Sequence, residues 1–259
     1  MNRAICVNTW REFKSNKVRL ILLTLLFLGP LAHFTWRRCF SPLEIQDEMI
    51  SFSAMSIFFA LIWGIGVVGR ERQHGTITLV LARPVTITNY IISKWIAVGL
   101  AAAICAVQAL VVEHAISVYF APSLLLDGEF FANMAERIII AFGTASVLVF
   151  CSSLVTGIKD LAIIAGVLFA LMLGAQVLSP VYHTAYTWSG ISQVNLERLA
   201  HIGFGALAAV FYPNIPIANL FTFGGEYIGS VINYVCVVSV FLSLAVFTLS
   251  RKEFSYAQD

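Results

Sequence analysis

The chain has 259 residues, 59% of them hydrophobic and 12% charged, against roughly 25% charged in an ordinary soluble domain. One soluble core cannot hide that excess, and the long apolar runs define a polytopic all-α membrane protein. The net charge of +2 says little as a total; its distribution along the chain says more, and no nucleic-acid partner is expected.

Residues 1–17 read as an amphipathic helix at one membrane face. Cys6, Trp10, Phe13 and Lys17 share one side; Asn8, Arg11, Glu12, Ser15 and Arg19 share the other, with Lys14 adding charge. Such a helix suits a membrane surface, either as an anchor for the first span or as a docking element for a partner. The basic start runs into apolar sequence without a small-residue cleavage site, so a cleaved signal peptide is not expected.

Residues 18–259 read as one six-span domain. The spans are Val18–Trp36, Met49–Gly69, Trp95–Phe120, Ile138–Gly157, Leu161–Tyr182 and Gly229–Ser250. Gly29-Pro30 predicts a kink in the first. Ile158, Lys159 and Asp160 alone separate the fourth from the fifth, which predicts a tight hairpin. Twelve Lys and Arg fall on the side of the termini. Four (Arg37, Arg38, Arg137 and Arg198) fall on the other. Both termini are therefore expected in the cytoplasm. The longest outer segment, 183–228, holds the apolar stretch Leu199–Phe211. At 1.5 Å per residue this is about 20 Å, short of the ~30 Å hydrocarbon core, so a re-entrant or interfacial helix is expected before the last span.

Motifs for chemistry are missing. There is no phosphate-binding Gly-x-x-x-x-Gly-Lys-Ser/Thr loop, no His-Glu-x-x-His and no Gly-x-Ser-x-Gly. The five cysteines form no close pair and no cluster with histidine, so neither a disulfide framework nor a metal site is expected. Polar residues within the spans are few: Gln108, Glu113, His114, Ser152, Ser153, Gln176 and Asn233. Glu113 lies 18 residues beyond Trp95, about 27 Å along a helix, which puts Glu113 and His114 at the outer rim as a solvated pair. Neighbouring helix positions point about 100° apart, so the two do not form a dyad. Ser152, Ser153 and Asn233 suit helix–helix hydrogen bonds. No enzyme site emerges.

Residues 70–94, RERQHGTITLVLARPVTITNYIISK, interrupt the apolar pattern. Gln73, Thr76, Ile77, Val80 and Leu81 follow helical spacing, Pro84 stops the helix, and Thr88–Lys94 leads into the third span. A plain charged loop that only sets topology is the simpler reading. The order Glu71, Gly75-Thr76, Leu81, Pro84, Tyr90 and Lys94, however, resembles the loop between the second and third spans of ABC-type transporter permeases of the exporter (type 2) class. The terminal LSRKEF is similar to that family's Arg-x-Asp/Glu-Phe ending, and the six spans agree. Ile87, Asn89 and Ser93 depart from the family's usual basic, acidic and glycine residues.

The resemblance implies a non-catalytic half-transporter in a bacterial or archaeal cytoplasmic membrane. A second permease copy or a sister permease would complete the substrate pathway. Two ABC ATPase subunits would bind ATP and Mg in this chain's stead, and a periplasmic accessory protein is allowed. Residues Glu71, Arg72, Gly75, Thr76, Leu81 and Pro84 would form the coupling element. Trp10, Arg11, Phe13 and Lys14 would lie beside it. An intramembrane protease or lipid-processing enzyme, and a secondary transporter or channel, are the competing readings.

Overall fold

The computed structural model describes residues 3–40, 55–73, 85–120, 128–154 and 226–256, with Gly166, Ile215 and Ile217. All seven elements in the described residues are helical: α1 Arg3–Ser15, α2 Lys17–Phe40, α3 Met55–Gly64, α4 Gly69–Gln73, α5 Ile87–Phe120, α6 Gly128–Leu154 and α7 Glu226–Tyr256. Among the described residues, three helical stretches, Ile87–Ala115, Phe130–Leu154 and Ile228–Arg251, are long and apolar enough to cross a membrane. Apart from Gly166, the fifth expected span lies outside the described residues, as do the tight hairpin and the re-entrant stretch.

The bundle is organised around α5 and α6. Alanines are frequent among their buried residues: Ala97, Ala101, Ala102, Ala106 and Ala109 on α5, and Ala141 and Ala145 on α6. Small side chains let helix backbones approach, which in a membrane substitutes dispersion contacts for the missing hydrophobic drive. The two helices approach closely at Gly99, where a Cβ would lie 2.5 Å from the Phe142 ring. Trp95 caps this contact, packing edge-on against Phe142 at 5.6 Å and donating its indole N–H to the Phe142 carbonyl at 2.9 Å.

α3 packs against both helices. Phe59, Ala60 and Leu61 are buried, and Gly64 sits where a Cβ would be 2.8 Å from that of Leu148. α7 closes the other side through Val237, Val238, Phe241, Ala245 and Leu249, with Phe150 and Phe241 rings 5.6 Å apart. Its Ile228, Ile232, Val235, Val240 and Phe247 face outward, as do Val18, Ile21 and Leu25 on α2. Exposed apolar faces of this kind suit contact with lipid.

Several boundaries differ from the sequence expectation. The second span is expected to run to Gly69; the α-helix ends at Gly64 and a turn occupies residues 65–68. Gly66 has φ of 67°, a left-handed conformation open to glycine because it has no Cβ. The third span and its ramp form one helix from Ile87. The N-cap is Thr86, whose Oγ1 accepts from the Asn89 N–H at 3.3 Å. At 34 residues α5 is about 51 Å long, so it overshoots the hydrocarbon core. α6 begins at Gly128, ten residues before the expected Ile138. Arg137 therefore lies within a helix and not in an outer loop. α2 keeps helical backbone through Gly29-Pro30, where the sequence places a kink.

The N-terminal helix also differs in one respect. The expected apolar face is present: Phe13 is buried against Trp63 at 4.8 Å, and Trp10 is half-buried. Arg19, expected on the charged face, is buried instead, while Lys17 is exposed. The helix breaks at Asn16, whose side chain caps α2 by accepting from the Arg19 N–H at 3.4 Å. That break resets the helical phase, and the Arg19 guanidinium then stacks on Phe13 at 4.9 Å and donates to the Ile65 carbonyl.

Candidate functional site

One end of the bundle, here the proximal end, gathers α1, α4, the start of α5 and the end of α6. Polar side chains cross-link these elements.

Glu71 on α4 is the centre. Its Oε2 accepts from the Tyr90 hydroxyl at 2.6 Å and its Oε1 from the Lys94 ammonium at 2.5 Å. Tyr90 and Lys94 are four residues apart, so both project from one face of α5. Both are fully buried, and the ammonium lies 5.6 Å from the Tyr90 ring centroid. A buried ammonium is tolerated only with a counter-charge and satisfied hydrogen bonds, and Glu71 provides the counter-charge.

α4 is anchored to α6 as well. The first N–H groups of a helix have no partner within it. Here the Ser152 hydroxyl oxygen accepts from both the Val68 and Gly69 N–H groups at 3.1 Å, capping α4 from another helix. Arg72 donates to the Ser153 carbonyl at 3.4 Å. Arg70 is exposed and its side chain folds back over Gly66. The Cys6 thiol donates to the Ser93 carbonyl at 3.3 Å, tying α1 to α5.

Of the residues singled out in the sequence, Glu71 and Arg72 meet in this cluster with their polar ends turned inward. Phe13 and Trp10 pack beneath α1, while Arg11 and Lys14 are exposed on it. Gly75, Thr76, Leu81, Pro84 and Gln176 lie outside the described residues. Gln108 and Asn233 are exposed on α5 and α7 and do not join the cluster.

Glu113 and His114 lie toward the other, distal end. The solvated rim pair expected there is replaced by a buried ion pair: Arg137 of α6 donates to Glu113 Oε2 at 2.7 Å, with side-chain exposures of 8% and 15%. His114 turns away from this pair and packs on Phe130 at 4.6 Å. Glu113 lies 19 residues beyond Lys94, about 28 Å along α5, close to the hydrocarbon thickness. The two ion pairs thus bracket the apolar stretch of α5.

Sequence reasoning names Tyr90 and Lys94 within the family-like pattern without giving them a role, and it places Arg137 in an outer loop. A signal for the first two is present: a tyrosine and a lysine four apart at the edge of an apolar run, downstream of a lone glutamate. No local signal pairs Arg137 with Glu113, because the contact crosses a helical hairpin.

A multi-pass helical membrane protein with a braced polar segment between two of its helices fits the class of transport permeases. The chain belongs to the ABC-2 family transporter proteins, whose family model matches residues 39–248. It is a membrane permease component of an ABC transporter, a family that associates with ABC ATPase subunits. No curated protein matches it.

Proposed function

We propose that this chain is the permease subunit of an ATP-driven exporter of the type 2 class. It pairs with a second copy or a sister permease, and two separate ATPase subunits drive it from the cytoplasm. Both termini and the proximal end face the cytosol. The membrane is the cytoplasmic membrane of a bacterium or archaeon. Residues 70–94 couple the ATPase cycle to the spans, with α1 beside them.

The observation that carries this reading is the bracing of α4. A charged segment meant only to bias topology needs no buried partners. Here Glu71 and Arg72 lock α4 to α5 and α6, while Arg70 is left exposed. A short stiff element fixed to two long helices is suited to transmit displacement. The coupling role that the resemblance implies for Glu71 and Arg72 accordingly becomes one of bracing, and direct contact with the ATPase falls to other side chains of the segment.

The test is co-purification. Tagged chain extracted from its native membrane in mild detergent is expected to retain an ATPase subunit. The complex hydrolyses ATP, and the stripped chain neither binds nor hydrolyses it. A chain that hydrolyses ATP alone, or that turns over a membrane lipid or peptide unaided, overturns the proposal.

A further inference from the structure

The carboxylate of Glu71 is held by both of its oxygens, each to a different residue of the same helix face. A single hydrogen bond is a pivot. Two, fixed to points one helical turn apart on α5, remove the rotation that one would allow. The partners cannot relax into solvent, because Tyr90 and Lys94 are fully buried. Along the chain, Glu71 is 19 residues from Tyr90 and 23 from Lys94, so the link bypasses the whole connection between α4 and α5.

At its other end α4 is seated on Ser152 through two backbone N–H groups. It directly follows a turn built on a positive-φ glycine, Gly66. A turn of that kind is a place where the chain can bend. A push on α4 delivered only through the turn would be partly absorbed there.

Resting on the proposed coupling role of this segment, we infer that Glu71, Tyr90 and Lys94 are positioning residues that form a clamp. The clamp makes α4 and the first turns of α5 one rigid body. A displacement of α4 is then delivered to the third span directly, through side chains and not through the connecting chain. α5 is stiff, is packed along α6, and carries a second buried ion pair, Glu113–Arg137, toward its distal end. Motion imposed near Lys94 therefore reaches the distal half of the bundle. Among the described residues, Glu71 faces Lys94 from α4; on α5 itself Tyr90 presents its ring and hydroxyl, and the Ser93 carbonyl next to Lys94 is engaged by Cys6 of α1.

The test needs no knowledge of the cargo. An environment-sensitive fluorescent amino acid is placed at Arg70, which is exposed on α4, or at Val111, which is 50% exposed on the distal half of α5. Spectra of the permease–ATPase complex are compared without nucleotide and after trapping with ATP and vanadate. In the unmodified chain both probes respond. In Glu71→Gln and in Tyr90→Phe, which removes a single hydroxyl, the probe at 70 keeps its response and the probe at 111 loses at least half of it. The exchange Glu71→Lys with Lys94→Glu restores the response at 111.

A response at 111 that is unchanged in both single variants overturns the clamp and leaves the coupling proposal standing. Loss of both responses in Tyr90→Phe also overturns it, since α4 itself has then moved. No response at either probe in the unmodified chain overturns the coupling proposal, and the clamp's role with it.

Discussion

Replacing Glu113 by alanine leaves the Arg137 guanidinium buried without its carboxylate. Arg137 has 8% side-chain exposure and Glu113 has 15%, so solvent screens the pair little. Arg137 also keeps one nitrogen, NH1, buried without a hydrogen-bond partner. Removing one member of a buried pair costs about 3–5 kcal/mol, and the partial exposure of Glu113 puts the expected loss near the lower end, about 3 kcal/mol. The double change Glu113→Leu with Arg137→Met removes both charges and the unmet nitrogen. Apolar replacement of a buried pair is often neutral or stabilising, so the double variant is expected to fall within about 1 kcal/mol of the starting protein. The assay is reversible unfolding of the chain in lipid nanodiscs, followed by tryptophan emission. A single variant that loses less than about 1 kcal/mol, the range of exposed pairs, refutes the argument. So does a double variant that is worse than the single.

Gly99→Ala is expected to destabilise by about 1–3 kcal/mol through overpacking, because its Cβ would sit 2.5 Å from the Phe142 ring. Gly29→Ala, with nothing within 4 Å of the new Cβ, is expected to be neutral or to gain up to about 1 kcal/mol of helix propensity. The same unfolding assay separates them. Ser152→Ala strips two backbone N–H groups of their acceptor. An expected cost of about 1–3 kcal/mol follows, with faster hydrogen exchange confined to residues 68–73, read by mass spectrometry. Phe13→Ala removes a side chain that is 2% exposed and packed on Trp63. Loss of about 3–5 kcal/mol is expected, with α1 becoming sensitive to protease before the rest of the chain.

The parts of the fold that sequence reveals are those with a local cause. Apolar runs of span length mark α5, α6 and α7, and the spacing of Trp10 and Phe13 marks the buried face of α1. The lead-in Thr88–Lys94 falls where α5 begins. What escapes depends on long-range geometry. Arg19 is misplaced when helical phase is carried through Asn16, where the helix breaks. Arg137 reads as a loop charge because its neighbours Ala132 to Glu136 are not apolar enough to mark a span, although they are helical. Lys94 reads as a topology-setting charge, whereas it is buried. A lysine can be fully buried when a glutamate from another helix reaches it, and nothing near Lys94 in sequence shows that Glu71 does. The Ser152 cap is legible only as a polar residue in a span; its partners, Val68 and Gly69, are more than 80 residues away.

The central claim is that a partner ATPase works this permease at the end of the bundle carrying α4. The direct measurement is photo-cross-linking in native membranes from a benzophenone amino acid at Arg70, exposed on α4, and from one at Ile228, 67% exposed at the start of α7. The account predicts that position 70 captures an ATPase subunit and position 228 does not. Capture from 228, or an ATPase that co-purifies yet is never reached from 70, contradicts it.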